Sequence, residues 1–181
     1  MTGLYAILTP IGETIMANDN SVGEITTEQQ ALAAVRQSGM ALRLVPEGLR
    51  TSELCFEAVK DVGLELCDVP ENLRTVELCL MAVKGVGMAL EYVPEELMTA
   101  EICLLAVKRS GFSLKFVPLE LRTPELCLEA VRQFGWSLVC VPENLKTPEL
   151  CLEAVKQDDR ALKFVPEALR DEVLRALKSG E

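Results

Sequence analysis

Five cysteines recur at intervals of 24 residues: Cys55, Cys79, Cys103, Cys127 and Cys151. Thiols at a fixed spacing suggest three chemistries, namely a ladder of disulfides, a metal site or a redox-active thiol. Each sits between apolar neighbours, Leu54 and Phe56 around the first and Leu126 and Leu128 around the fourth. Equivalent positions in stacked helices lie about 8–10 Å apart, beyond the roughly 7 Å between Cα atoms that a disulfide spans. A metal site needs a C-x2-C pair or histidine partners, and the chain has neither. The row therefore reads as small buried hydrophobes, with a cysteine-based metal or redox protein as the competing class. Cys67 and Cys140 fall at other positions and are expected to be more exposed. Many free thiols in one chain point to the cytosol.

Catalytic constellations are hard to assemble from the remaining residues. Without histidine there is no Ser/His or Cys/His pair, and neither a glycine-rich phosphate loop nor H-E-x-x-H occurs. The glutamates recur once per repeat, which suits helix ends better than a unique active site. No enzyme activity, cofactor or bound metal is expected.

Binding chemistry is better represented. One position reads Met40, Leu64, Met88, Phe112, Trp136 and Arg160 along the chain. Phe134 and Trp136 flank Gly135, and Phe112 stands one repeat earlier. On the rim of the fold, Phe112, Phe134 and Trp136 would form an aromatic patch of the kind that anchors protein interfaces. Packed beneath the short helical turns, the same row would be core.

Charge points the same way. The net charge is −10. Two acidic and two basic rows of the repeat nearly cancel, so the excess sits at varying positions such as Asp61, Glu65, Asp68, Glu91, Asp158 and Asp159. Nucleic-acid binding needs a basic footprint and is disfavoured. An acidic surface serves solubility, or attracts a basic partner and speeds its association.

These residues are carried by a repeat whose six units begin at Thr27, Thr51, Thr75, Thr99, Thr123 and Thr147 and end at Arg170. A fixed period of this size means a stacked architecture. The threonines stand where a helix N-cap belongs. Pro124 and Pro148 follow at the first helical position, where a missing N–H costs little. Glutamates such as Glu125 face the positive end of the helix dipole, and a basic row (Arg36, Lys60, Lys84, Lys108, Arg132, Lys156) faces the negative end. Gly39, Gly63, Gly87, Gly111 and Gly135 are expected to end each helix in the left-handed conformation. A shorter apolar helical turn follows, closed by Val-Pro, and Pro-Glu-x-Leu adds one more turn. A single unit buries too little surface to fold alone, so stacking must create the core.

Outside the repeats, residues 1–26 form a non-repeat segment with no Lys or Arg, a poor fit to a secretory signal. Residues 1–15 read either as an upstream extension or expression remnant, or as a short cap over the first repeat. Residues 171–181 are expected to form a C-terminal capping helix with Asp171 as N-cap. No apolar run approaches the eighteen residues of a membrane span.

The pattern L-R-T-P-E-L-C-L-E-A-V-R-x-x-G-x-x-L-x-x-V-P-E, over about residues 27–170, resembles the helical repeats grouped as domain of unknown function 4116. The resemblance implies tandem arrays in bacterial proteins, and it brings no common activity or catalytic residue. The architecture is also similar to the leucine-rich variant repeat, which alternates α and 3₁₀ helices. The expected fold is an all-α solenoid of six 24-residue repeats, each a longer helix plus a short helical turn. The expected role is a non-catalytic protein-interaction scaffold; an acidic inhibitor or immunity-type protein that binds a basic partner is the sharper alternative.

Overall fold

A computed structural model describes residues 25–179, together with the backbone of residues 5–8 and 14–17. Six ten-residue α-helices carry the first half of each repeat: α1 (Glu28–Gln37), α2 (Ser52–Asp61), α3 (Val76–Gly85), α4 (Ala100–Arg109), α5 (Pro124–Gln133) and α6 (Pro148–Gln157). Every one is capped as its sequence predicts. The Thr51 hydroxyl accepts from the N–H of Leu54, and Thr75, Thr99, Thr123 and Thr147 do the same three residues on. Thr27 adds a reciprocal bond, the Gln30 side chain accepting from the Thr27 N–H.

The second half of each repeat is a six-residue 3₁₀ helix, Gly63–Asp68 in the second unit, then a three-residue turn, Glu71–Leu73. With three residues per turn, side chains three apart eclipse. That periodicity explains the pattern of burial. Gly63, Leu66 and Val69 share the inward row and are all buried. Leu64 and Cys67 share the outward row and are exposed. The inward row meets the apolar stripe of the α-helices, where Cys55, Cys79, Cys103, Cys127 and Cys151 are fully buried among Leu, Ala and Val. The result is an all-α solenoid in which each element packs on its neighbours one repeat away.

The glycines do not end the helices as expected. No described glycine has a backbone in the left-handed region; the residue before each of these five is extended instead, Val62 at φ −134° for example. Glycine is needed for a different reason, because a Cβ on Gly63 would stand 2.5 Å from the carbonyl oxygen of Ala82 in the next repeat. In the last unit Asp159 takes this position and is exposed, with no following repeat pressing on it.

The repeats are also stitched together by the basic residue that closes each unit. Arg74 donates from Nε to the Val69 carbonyl in its own repeat (2.9 Å) and from Nη1 to the Tyr92 carbonyl in the next (2.9 Å). Arg50 and Arg122 make the equivalent pairs. Lys146 spans to the Phe164 carbonyl, and Arg170 keeps the bond within its own unit. Met98 interrupts this ladder at the end of the third repeat.

Two terminal features differ from the sequence reading. The last helix, α7 (Glu167–Ser179), starts four residues before Asp171, which lies inside it rather than capping it. No seventh threonine breaks the chain here, so the Pro-Glu-x-Leu turn runs on into helix and packs on α6, with Val173 buried. At the other end the described part of the non-repeat segment adds a hairpin that the all-α expectation did not include. Strands β1 (Tyr5–Leu8) and β2 (Thr14–Ala17) pair antiparallel, Tyr5 opposite Ala17 and Leu8 opposite Thr14. The rest of residues 1–24, Gly180 and Glu181 lie outside the described residues, and so does any test of residues 1–15 as extension, remnant or cap.

Candidate interaction groove

The outward row of the 3₁₀ helices begins directly after each glycine, and in the fourth and fifth repeats it carries Phe112 and Trp136. Phe134 ends α5 in an extended conformation, φ −150°, which swings its ring out to 39% exposure. Together Phe112, Phe134 and Trp136 line one open groove of about 670 Å³, with Met88, Arg109 and Gln133 completing its walls. Phe112 and Phe134 meet edge to face at 5.7 Å, and Trp136 meets Phe164 the same way at 5.4 Å. Such contacts hold the rings in place and leave their remaining faces available.

Cations frame these rings. Lys115 Nζ lies 5.1 Å from the Phe112 centroid and 4.2 Å from that of Phe116. Lys163 Nζ sits 3.8 Å over Trp136, and the Arg160 guanidinium stands 5.5 Å from it. At exposed sites each such contact contributes roughly 0.5–1 kcal/mol. The sequence reading singled out the rings but missed the cations. Their signal was the period of three, which puts Lys115 above Phe112 and Lys163 above Arg160.

The acidic candidates fall into two groups, Asp61, Glu65, Asp68 and Glu91 in repeats two and three, and Asp158 and Asp159 in repeat six. Asp61 accepts a hydrogen bond from the Gly39 N–H at 2.7 Å, tying repeat two to repeat one. Glu65 is buried, at 8% exposure, and burial followed by the neighbouring charge of Asp68 raises its pKa. Asp68 accepts from the Cys67 thiol at 3.5 Å, and exposed Glu91 lies near enough to raise the pKa of Tyr92. Asp158 and Asp159 belong to the sixth repeat, at the other end. Asp158 is bound to Arg160 at 2.7 Å, and the Arg160 hydrogen bonds hold its pKa down to about 2. The Trp136 indole N–H also helps to lower it, although that N–H falls short of hydrogen-bond geometry and is buried without a partner. Asp159 remains exposed.

All seven cysteines are free. Burial raises the thiol pKa values of the repeated row, to about 11 for Cys127 and Cys151, which suppresses the thiolate that nucleophilic or metal chemistry requires. Among the described residues no group of three or more Cys, Asp or Glu side chains is arranged to hold a metal. No described helix is long and apolar enough to cross a membrane.

Residues 75–122 and 123–170 each match the family described as Domain of unknown function (DUF4116), so one family unit covers two of the 24-residue repeats. No curated protein and no solved structure matches the chain.

Proposed function

The chain belongs to the Domain of unknown function (DUF4116) family, and from that premise we propose that it is a non-catalytic protein-interaction repeat protein whose groove over repeats three to five seats a partner segment. The observation that carries this reading is the convergence of Phe112, Phe134 and Trp136 on one open groove. Rigid aromatic rings with little rotamer entropy to lose are favoured anchors, and only the fourth and fifth repeats place rings in the outward row. The cations at Arg109 and Lys115 select the occupant: an apolar side chain flanked by carboxylates. The raised pKa values of the buried thiols weigh against a cysteine-based metal or redox role, and seven unpaired thiols suit a reducing, cytoplasmic setting.

A photo-crosslinking phenylalanine analogue at position 134 tests the reading in lysate of the source cell, with a second at exposed Val76 as control. The expected result is one partner crosslinked from position 134, not from 76, and lost in a Phe112→Ser/Trp136→Ser background that keeps its circular dichroism. A partner captured equally from both positions would remove the groove from the account.

The second reading, an acidic protein that occludes a basic partner, draws on the net charge of −10 and on Asp68 and Glu91 in repeats two and three. Capture that is unchanged from low to high salt would count against it.

A further inference from the structure

The break in the basic ladder at Met98 coincides with a second departure from the repeat. In the turn after Val-Pro, every other unit has glutamate where the fourth has Leu119. The two substitutions are not scattered. Met98 and Leu119 line the same open pocket of about 440 Å³ between repeats three and four, with Glu95, Glu120 and Arg122 also on its wall, the Arg122 guanidinium being bound to the carbonyls of Val117, Cys140 and Lys115.

The chain's own repeats show what this place accepts elsewhere. At the neighbouring junctions a guanidinium lies across three carbonyls. Arg122 donates to Val117 O in its own unit (2.8 Å), Cys140 O in the next (2.6 Å) and Lys115 O (3.3 Å). Arg74 repeats the set on Val69, Tyr92 and Cys67. Transposed to the third junction, the cradle consists of the carbonyls of Val93, Phe116 and Glu91. Met98 has no donor to offer them, and it lies half-buried against the core beside the pocket. A charged donor shared among several carbonyls is a strong hydrogen-bonding arrangement.

We infer that the junction of repeats three and four binds an arginine side chain supplied by a partner protein, its guanidinium taking the place that Arg74 and Arg122 fill from within the chain. Carbonyls receive the planar donor face. Glu95 and Glu120 supply the countercharge at the rim, and Leu119, 67% exposed, gives the arginine stem or its neighbour an apolar contact. The preference is for arginine over lysine, because three acceptors in fixed positions match a fork better than a point charge.

Isotope-labelled full-length protein titrated with acetyl-arginine amide tests the inference, with acetyl-citrulline amide as the neutral isostere. Arginine should shift the backbone amides of residues 95–98 and 119–122, and citrulline should bind at least about tenfold more weakly, as expected when a charged donor is withdrawn. Met98→Arg should fill the cradle internally and abolish the shifts. Arg122→Met should open an equivalent cradle one repeat on and create a second set of shifts around residues 143–146. Equal binding of citrulline, arginine shifts that survive in a folded Met98→Arg, or no shifts in the wild type would each overturn it. The wild-type titrations decide the matter even if a variant fails to fold. They involve no residue of the aromatic groove, so a negative result would leave that proposal standing.

Discussion

A methyl group on Gly87 would meet the carbonyl oxygen of Ala106, one repeat on, at 2.5 Å, and the Cβ of Arg109 at 3.0 Å. Backbone on a neighbouring helix cannot step aside as a flexible side chain can, so the repeats would have to separate. Gly87→Ala is therefore expected to cost about 1–3 kcal/mol, the usual range for overpacking a filled interface. In urea it should lower the midpoint with little change in slope. Gly48 is the control: a Cβ there meets nothing within 4 Å, and Gly48→Ala should be neutral or stabilise by up to about 1 kcal/mol. Equal losses at both positions would show that the glycines are kept for backbone freedom.

Periodicity made most of the frame legible, because a cap or an inward leucine repeated six times leaves little choice of structure. Thr51 and its equivalents, Leu66 in the inward row and Val69-Pro70 at its close are where the pattern puts them. What stayed hidden depends on contacts between repeats. A recurring glycine reveals a demand for no side chain, without saying whether conformation or space makes it. The Arg74 row looked like framework charge because its acceptors are carbonyls eighteen residues away, in the next unit. Glu65 looked like surface, although its own row held the warning: Ala41, Ala89, Ser113, Ser137 and Ala161 are all small. The aromatic groove was half legible, since the sequence shows which rings exist and only the 3₁₀ period shows which way they face.

The ladder should be measurable one rung at a time. Arg74 is half-buried and donates three hydrogen bonds to carbonyls of two repeats. Arg74→Met removes the donors and leaves the acceptors, at an expected cost of about 1–3 kcal/mol. Arg74→Lys should recover only part, because an ammonium cannot serve three fixed acceptors as a fork does. Urea unfolding of the two variants beside wild type checks the order. A lysine variant as stable as wild type would reduce the ladder to simple charge.

Thiol reactivity should divide the cysteines by burial. Cys67 is exposed, Cys140 half-buried, and the five of the repeated row fully buried. Native protein with a chromogenic disulfide reagent should show one fast thiol, one slower one, and five that react only on unfolding. Cys67→Ser should remove the fast phase alone. Rapid labelling of Cys127 or Cys151, read by peptide mass, would mean that the α5 and α6 region opens far more readily than its packing implies.

Glu65 makes the fold pH-sensitive in an unusual direction. One of its carboxyl oxygens is buried without a hydrogen-bond partner, and burial, then Asp68, raise its pKa while Arg43 works against them. A carboxyl that holds its proton more tightly when folded contributes fully below its unfolded pKa, near 4.5. That contribution is lost as the pH rises through the higher folded value. Glu65→Ala, which restores the residue of three sister repeats, should then stabilise the protein at pH 7 by about 1–3 kcal/mol, the cost of an unsatisfied buried polar group. The advantage should shrink as the pH is lowered towards 4, because the wild-type carboxyl becomes neutral and no longer resists burial. Paired urea titrations at pH 7 and pH 4 measure both gaps. A gap that stays constant would mean the Glu65 side chain acts through its size, and its charge would carry no part of the effect.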